Sequence, residues 1–554
     1  MTAALEKSKN IFKKFAGRRQ IWIQLSLIVL TLISMSPSLR AGTPRADQLI
    51  LYNQMKGESL VSLIQNSLLS WNRVHYSDSC GLELSCSDLV LFRPGTYLVQ
   101  AFLIAWFPYS FEIWQSINLV AHLLVVIGVF QLLRKLGPSS GDSGPAMFAA
   151  VFAVNFPGSE MIYWNHLLGY TIFAALLIWA ACLGVIALGH RSSPARYSYG
   201  AVALLILSQY FYELGFVCLL AVSAVCLYSF AVRPSRRKLR LSFTLVIGAI
   251  FYLFLNIFSA SVTNWGKVFD LPDTSAGSPN SIISTGYTQS AYWIVEFFSP
   301  QVSQFSVGER PIRFEYGSLV MGIQKTFNLG FLFLILSLIS ITIFIHWRKA
   351  RRNAQRKFAF VVSLGAMLCA VTYSIIIFVG RSSQRGIDYT LGTNLYYSYF
   401  FVLFLVIGAG ALVLGYLPRD KFNKNYLRRF ATALCLAIVV LQAPLTYRLG
   451  ANSAKYLEPR QKMIDRIIQL KSVHPNAVFL FTFEPYDENI PCNADVGVSE
   501  DHLKSKLRGF GPPTYADLLF PEVSSLYQLA YNEERIQITA PLPCPQTNNL
   551  LLNG

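Results

Sequence analysis

Ionisable side chains that could take part in chemistry gather near the ends of the long apolar runs of this sequence. They are Asp47, Glu58, Arg93, Glu160, His166, Glu213, Arg381 and Arg385. A carboxylate or an imidazole can move a proton or bind a metal, and an arginine can hold a phosphate with paired hydrogen bonds. Because ionisable groups are costly near hydrocarbon, they usually mark a functional site or the packed interior of a helix bundle.

Three polar residues lie deeper, within the apolar run that begins at Phe111. Gln115, Asn118 and His122 follow the spacing i, i+3, i+7, which places them on one face of a helix. One interpretation is a functional stripe inside the membrane, and the other is hydrogen bonding between neighbouring helices. The packing interpretation is the ordinary one for such a stripe.

The composition predicts a membrane protein. The chain has 554 residues, of which 53% are hydrophobic and only 14% are charged. Repeated apolar runs approach the roughly 20 residues that span about 30 Å of hydrocarbon. The formal charge of +18 comes from short basic clusters between these runs, which indicates membrane topology signals and argues against a nucleic-acid partner. We therefore expect an all-α polytopic protein with about eleven transmembrane helices, surrounded by membrane lipids.

The predicted spans set the layout of the chain. They begin near Ile21, Phe111, Met147, His166, Tyr199, Glu213, Leu241, Thr326, Phe358, Tyr397 and Phe430. The first run has the basic flank of a signal peptide but no small-x-small cleavage site, so we expect it to be a retained anchor.

The basic clusters also decide how the segment from Arg93 to Phe107 should lie. All clusters fall on one side of the membrane only if this segment does not cross it. Its apolar run is also shorter than a comfortable span, as in re-entrant and interfacial helices. We expect it to lie in the outer interface with aromatic anchors at Tyr97, Trp106 and Phe107. The amino terminus is then cytoplasmic and the carboxyl terminus extracytoplasmic.

Two divisions of the chain follow from this layout. Residues 1–448 form the transmembrane module, in which residues 38–110 make a first outer loop with interfacial helices. Within that loop the stretch from Asp47 to Trp71 has apolar residues at helical spacing and is expected to lie flat on the bilayer. Residues 449–554 are expected to form a small extracytoplasmic α/β domain, because a helix-like stretch there precedes the β-like run from Ala477 to Tyr486.

The cysteines fall into two groups. Five lie within predicted spans, where free thiols behave as small apolar residues: Cys182, Cys218, Cys226, Cys369 and Cys435. The other four lie in the first outer loop and in the tail. We expect Cys80 to pair with Cys86, and Cys492 with Cys544, in an oxidising compartment. The alternative is four unpaired thiols.

The amino-terminal part of the chain resembles a known class of membrane enzymes. A short basic-flanked span precedes a long outer loop with an early aspartate, then Arg93-Pro94 at the start of an interfacial helix, then FEIWQSINLVAHLL. This order resembles the amino-terminal module of the GT-C glycosyltransferases, such as protein O-mannosyltransferases and the bacterial transferases that modify lipid A with aminoarabinose. The later YWNHLLGY and YELG occur where that class carries outer-face polar residues. The resemblance extends from Ile21 to Val232.

The resemblance implies inverting transfer of a sugar that is carried on a polyprenyl phosphate. Asp47 would then be the catalytic base that deprotonates the acceptor, and Arg93 with Arg381 or Arg385 would bind the donor phosphate. Two positions depart from the class pattern, since the first loop has a single acid in RADQ and Phe92 stands where an acid often precedes the basic residue. Candidate contacts of the acceptor or of a divalent metal cofactor are Glu58, Glu160, His166 and Glu213.

Each of these roles has a structural alternative. Asp47 can be a solvated loop acid or a helix cap, and Arg93 can extend its side chain to the lipid headgroups. Glu213 can cap a helix. Arg381 and Arg385 fit the structural alternative less well, because positive charge on the outer side departs from the positive-inside pattern.

The sequence therefore predicts a bacterial inner-membrane enzyme that moves a sugar from a polyprenyl-phosphate donor to an extracytoplasmic glycan, lipid or protein. Two alternatives stay open. One is an O-antigen polymerase or ligase, which also relies on outer-face arginines but usually carries its main charged loop late in the chain. The other is a non-catalytic lipid or glycan transporter or assembly subunit, which would survive the loss of Asp47.

Overall fold

Helices dominate the computed structural model. It describes residues 2–40, 55, 58–69, 93–108, 110–137, 142–156, 158–189, 195–212, 214–232, 236–262, 354–385, 397–416, 429–451, 454, 465, 469, 478–484 and 535–541. The helices, numbered in chain order, are α1 Thr2–Met35, α2 Leu60–Leu69, α3 Pro94–Trp106, α4 Phe111–Leu136, α5 Ser143–Ala153, α6 Glu160–Tyr163, α7 Leu168–Gly189, α8 Ala195–Ser208, α9 Leu214–Val232, α10 Arg236–Val262, α11 Ala354–Arg385, α12 Ser398–Gly410 and α13 Arg429–Ala451. Short 3-10 segments follow α1 and precede α7, at Ser36–Arg40 and Asn165–Leu167, and a π-helical segment, Ala411–Tyr416, continues α12.

The protein is an integral membrane protein of the α-helical class. In the part of the chain that the structure describes, six helical segments are long and apolar enough to cross a membrane: Arg19–Arg40, Phe111–Leu136, Leu168–Ala187, Leu239–Phe258, Ser398–Gly415 and Arg429–Ala451. Shorter apolar segments are Ser143–Ala153, Leu214–Ala224 and Ala359–Ser374. The span predicted from Thr326 lies outside the described residues, and each of the other predicted spans overlaps a described helix. The total of about eleven spans stays a prediction.

Charge and glycine define the end of α4. Arg134 and Lys135 lie in its last turn, where positive charge stabilises the carboxyl end of a helix. Gly137 follows as the C-cap residue, and its amide donates to the Leu133 carbonyl. The 26-residue helix is therefore about 39 Å long, enough to cross the hydrocarbon with some tilt.

Apolar packing joins the helices in two clusters. The larger cluster forms where α4, α5, α7, α11 and α12 meet, and its fully buried side chains include Phe130, Phe152 and Tyr399. The smaller cluster joins α7 to α8, α9 and α10 through residues such as Ala180 and Leu219. Because α7 contributes to both clusters, it connects the two halves of this packing.

The helix α3 is short for a span, as are α5 and α8. Its 13 residues correspond to about 20 Å, less than the roughly 30 Å of hydrocarbon. The helix α2 packs against it, which confirms helical structure for this part of the stretch from Asp47 to Trp71. The expected place of both helices in the outer interface stays a prediction.

The predicted strand of the tail is present. The strand β1, Val478–Glu484, falls within the run from Ala477 to Tyr486 and pairs in parallel with β2, Arg535–Pro541. Val478 lies opposite Arg535 in the register. The division of the chain at residue 448, and the α/β domain as a unit, stay predictions.

The cysteines in the described helices are not in disulfide bonds, as predicted. Cys182, Cys218, Cys226, Cys369 and Cys435 form no disulfide. The four cysteines expected to form disulfides, Cys80, Cys86, Cys492 and Cys544, lie outside the described residues.

Candidate functional site

The side chain of Arg93 lies against two adjacent tyrosine rings. Its Nη1 donates a hydrogen bond to the hydroxyl of Tyr170, with 2.6 Å between the atoms. Its Cζ lies 4.9 Å from the ring centroid of Tyr170 and 5.0 Å from that of Tyr212. A guanidinium at this distance from a ring face is attracted by the π electrons. Arg93 is half-buried and both tyrosines are buried, so the two rings form a cage for the cation.

Tight backbone packing places the start of α3 beside this cage. Pro94 occupies the first helical turn, where its missing N–H needs no partner. The Gly95 amide donates to the Tyr210 carbonyl at 2.9 Å, and the Thr96 hydroxyl donates to the Phe211 carbonyl at 2.9 Å. A Cβ at Gly95 would lie 2.9 Å from the Tyr210 oxygen, so only glycine permits this approach.

The amides of the first turn of α3 already have partners. The amides of Thr96 and Tyr97 both donate to the Arg93 carbonyl, at 3.1 and 3.3 Å, and Gly95 bonds to the turn after α8. Pro94 has no amide hydrogen. An anion that reached this end of α3 would therefore meet the Arg93 guanidinium rather than free helix amides, which otherwise bind anions at helix starts.

Further aromatic rings support the cage from the other helices. Phe400 of α12 stacks on Tyr212 with 5.7 Å between centroids, and Tyr373 of α11 lies edge-on to Phe400 at 5.4 Å. Phe173 of α7 contacts Tyr212 at 5.4 Å. The cage is thus fixed at the bundle end where α7, α9 and α12 begin, which is the predicted outer end.

The polar stripe of α4 supports a break between helices. The helix α5 ends at Ala153, and irregular backbone and short turns follow until α7 begins. Asn118 Nδ2 lies 3.1 Å from the carbonyl oxygens of both Met161 and Ile162, and Gln115 Nε2 also donates to the Ile162 carbonyl. The interpretation of this stripe as interhelical hydrogen bonding is therefore confirmed. It gives hydrogen-bond partners to buried carbonyls of the one-turn helix α6, which is too short to satisfy them itself.

The third member of the stripe, His122, links the break to α12. Its Nδ1 lies 2.9 Å from the Tyr399 hydroxyl, and its Nε2 lies 3.5 Å from the Ala153 carbonyl oxygen. The imidazole and the phenol ring of Tyr399 are both fully buried. His122 therefore connects three helices through polar contacts in an apolar interior.

The helix α13 closes the break from its other side. Gln442 accepts a hydrogen bond from the Phe156 amide at 3.1 Å, and the Thr446 hydroxyl donates to the Val154 carbonyl at 2.9 Å. The Tyr163 hydroxyl donates to the Thr446 carbonyl. Burial raises the pKa of the Tyr163 hydroxyl above its ordinary value, so it stays a neutral donor.

An ion pair and a small cavity lie at the opposite end of the bundle. Arg134 Nε is 3.0 Å from Asp142 Oδ1, which joins the end of α4 to the start of α5. A cavity of about 60 Å³ lies nearby, between α5, the π-helical segment and α13, and Met147, Leu414 and Cys435 line it. Its lining is chiefly apolar, and it belongs to the packing of these helices.

The structure describes four more of the predicted site residues, two of them, Arg381 and Arg385, by their backbone only. Glu58 is exposed and accepts a hydrogen bond from the Ser62 hydroxyl at 2.6 Å, beside the start of α2. Glu160 is half-buried in the first turn of α6. Arg381 and Arg385 lie one turn apart on α11, which continues through Arg385 and beyond the predicted span.

Several predictions concern residues whose side chains the structure does not describe. Asp47 and Glu213 lie outside the described residues, and for His166 only the backbone, in the 3-10 turn before α7, is described. Among the described side chains, no three histidines, cysteines or acids form a group that could hold a metal ion. The predicted base, acceptor contacts and metal therefore stay predictions.

Sequence reasoning singled out Arg93 and missed its two partners. Tyr170 and Tyr212 lie 77 and 119 residues further along the chain, at the ends of motifs noted only for their polar members. The available signal was a tyrosine near the start of the predicted span from His166 and another just before the predicted span from Glu213. No pattern of spacing relates either tyrosine to Arg93.

No protein-family model matches this chain, and no curated protein sequence matches it. Function is therefore inferred from the Arg93 cage and from the membrane character of the helices.

Proposed function

We propose that this protein is a membrane glycosyltransferase that moves a sugar from a polyprenyl-phosphate donor to an extracytoplasmic acceptor. The observation that carries the proposal is the Arg93 guanidinium, held against the rings of Tyr170 and Tyr212 at the start of a helix of 13 residues. A fixed, half-buried cation at the predicted membrane surface suits a lipid phosphate, because arginine forks match phosphate geometry.

The neighbouring surface suits an isoprenoid tail. The helix α3 begins at the cage and ends with Trp106, which is 62% exposed and whose ring contacts that of Phe102 at a tilt. Aromatic side chains of this kind favour the boundary between headgroups and hydrocarbon. A lipid whose phosphate contacts Arg93 would lay its tail along such an apolar helix.

The proposed reaction assigns complementary roles to an acid and to arginines. Asp47 takes the proton of the acceptor hydroxyl while that oxygen forms a bond to the anomeric carbon from the face opposite the phosphate. The bond between this carbon and the phosphate oxygen breaks, and the polyprenyl phosphate leaves with its added negative charge. Arg93, with Arg381 or Arg385, stabilises that charge.

The test of the phosphate site is Arg93→Gln. The purified protein in lipid nanodiscs receives polyprenyl-phosphate sugars, with an envelope extract as the source of acceptor, and the release of polyprenyl phosphate is measured. We expect the variant to lose about 100-fold or more of the rate, as for other transition-state donors. Arg196→Gln is the matched control, because Arg196 also lies over a tyrosine ring, at 5.2 Å from Tyr197, and should keep the rate within twofold.

The test of the base is Asp47→Asn, which keeps the shape and removes the basicity. We expect a loss of about 10²- to 10⁴-fold in rate, with lipid binding retained. Glu112→Gln, an exposed acid in the first turn of α4, is the control and should leave the rate unchanged. Turnover with diphosphate-linked donors alone would favour a polymerase or ligase. Binding without any release of lipid phosphate would favour a transporter or an assembly subunit.

A further inference from the structure

We infer that Tyr170 and Tyr212 are positioning residues, which hold the Arg93 guanidinium in one orientation for a lipid phosphate. The inference rests on the proposed function for the identity of the ligand. It goes beyond that function by assigning a role to two residues that bind no substrate themselves.

The two tyrosines constrain the Arg93 guanidinium in different ways. The Tyr170 hydroxyl accepts one N–H of the guanidinium at 2.6 Å, which fixes the rotation of the planar group. The ring faces of Tyr170 and Tyr212, at 4.9 and 5.0 Å from Cζ, fix where that plane lies. A guanidinium recognises phosphate through N–H groups in a rigid fork, so its orientation decides whether two bonds can form together.

The tyrosines are suited to this role because they cannot move freely. Tyr170 is 6% exposed and Tyr212 is 7% exposed, and their ring centroids are 4.5 Å apart. Phe400 stacks on Tyr212 and Phe173 contacts it, so rings from α7 and α12 support the cage. Arg93 in contrast is only half-buried, which leaves part of its side chain accessible from outside the cage.

A purely structural role would give the same contacts, and a double-mutant cycle separates the two. A positioning residue acts through Arg93, so its replacement should have no effect on phosphate recognition once Arg93 is gone. A residue that only packs the bundle should have the same effect in both backgrounds.

The experiment measures binding of undecaprenyl phosphate and of neutral undecaprenol to the protein in nanodiscs by native mass spectrometry. The ratio of the two affinities reports phosphate recognition alone. We expect Tyr170→Phe, which keeps the ring and removes the hydroxyl, to lower this ratio about tenfold. Tyr212→Leu should lower it by a similar factor, and Tyr212→Phe should restore most of it because the ring face returns. Tyr199→Phe, at an exposed position of α8, is the control and should leave the ratio unchanged.

The same changes are then made in the Arg93→Gln background. We expect Tyr170→Phe and Tyr212→Leu to alter the ratio by less than twofold there. Equal losses in both backgrounds would overturn the inference, and so would an Arg93→Gln variant that keeps the wild-type ratio. Phosphate recognition that couples to both tyrosines, in a protein that transfers no sugar, would support the inference and refute the proposed function.

Discussion

Replacing Asn118 should destabilise the whole bundle, because this side chain joins α4 to the break before α7. The change Asn118→Leu keeps a similar shape and removes both the donor and the acceptor. Asn118 is fully buried. Its amide lies 3.1 Å from the Met161 and Ile162 carbonyl oxygens, and its own oxygen accepts from the Thr171 hydroxyl at 2.6 Å.

The expected loss can be worked out partner by partner. Ile162 keeps the hydrogen bond from Gln115, and the single hydroxyl hydrogen of Thr171 can turn to the Leu168 carbonyl, 2.8 Å away. The Met161 carbonyl loses the Asn118 amide in a buried position. Hydrogen bonds between membrane helices contribute about 0.6 kcal/mol each on average, and leaving a buried polar group unpaired costs about 1–3 kcal/mol. We expect the free energy of unfolding to fall by about 2–3 kcal/mol.

The assay is equilibrium unfolding in mixed micelles of a protein in which every cysteine but buried Cys182 is replaced by alanine, followed by the reaction of Cys182 with a thiol-specific fluorophore. Ser116→Ala is the matched control on the same helix, because Ser116 is exposed and bonds only to the Glu112 carbonyl one turn away. The control should change the free energy of unfolding by less than about 0.5 kcal/mol. An Asn118→Leu variant as stable as this control would refute the conclusion that the polar stripe stabilises the bundle by hydrogen bonding to the segment before α7.

Three further predictions test the packing and the topology. Gly215→Ala should lower the free energy of unfolding by about 1–3 kcal/mol, because a Cβ there would lie 2.6 Å from the Gln209 backbone. Gly184→Ala is the control: a Cβ there would meet nothing within 4 Å, so the free energy of unfolding should not fall. In the same unfolding assay, Tyr399→Phe should lower the free energy of unfolding by about 1 kcal/mol, because it removes the hydroxyl that lies 2.9 Å from His122 Nδ1. In a protein whose native cysteines are replaced, a cysteine at Ser110 should react with an impermeant maleimide on intact cells, and a cysteine at Leu136, the other end of α4, only after permeabilisation. The reverse pattern would show that the predicted topology is inverted.

The sequence predicts the helices well and their contacts poorly. Hydropathy and length alone place α4 and α7, because a lipid-embedded helix needs a long apolar run. The same length argument predicts that α3 is not a span; the helix has 13 residues, and its place relative to the membrane stays a prediction. The polar stripe of Gln115, Asn118 and His122 is also visible, since its spacing depends only on helical periodicity.

The partners of these residues are not visible in the sequence, for physical reasons. Asn118 bonds to the carbonyls of Met161 and Ile162, and every residue type has a carbonyl, so no residue type marks the contact. The Arg93 cage joins residues 77 and 119 positions apart, and only the folded bundle brings them together.

The hydrogen bonds between α13 and the segment that joins α5 to α7 also have a consequence for folding during synthesis of the chain. The Phe156 amide and its Gln442 partner are 286 residues apart, and the Val154 carbonyl and Thr446 are 292 apart. At about 5–20 residues per second, a ribosome needs roughly 15–60 s to make the intervening chain. The break between α5 and α7 is thus among the first parts of the bundle to enter the membrane, and its closing partner is among the last. During that interval other groups must shield its polar backbone, and a ribosome that stalls before α13 leaves a chain whose early helices lack the closing contact.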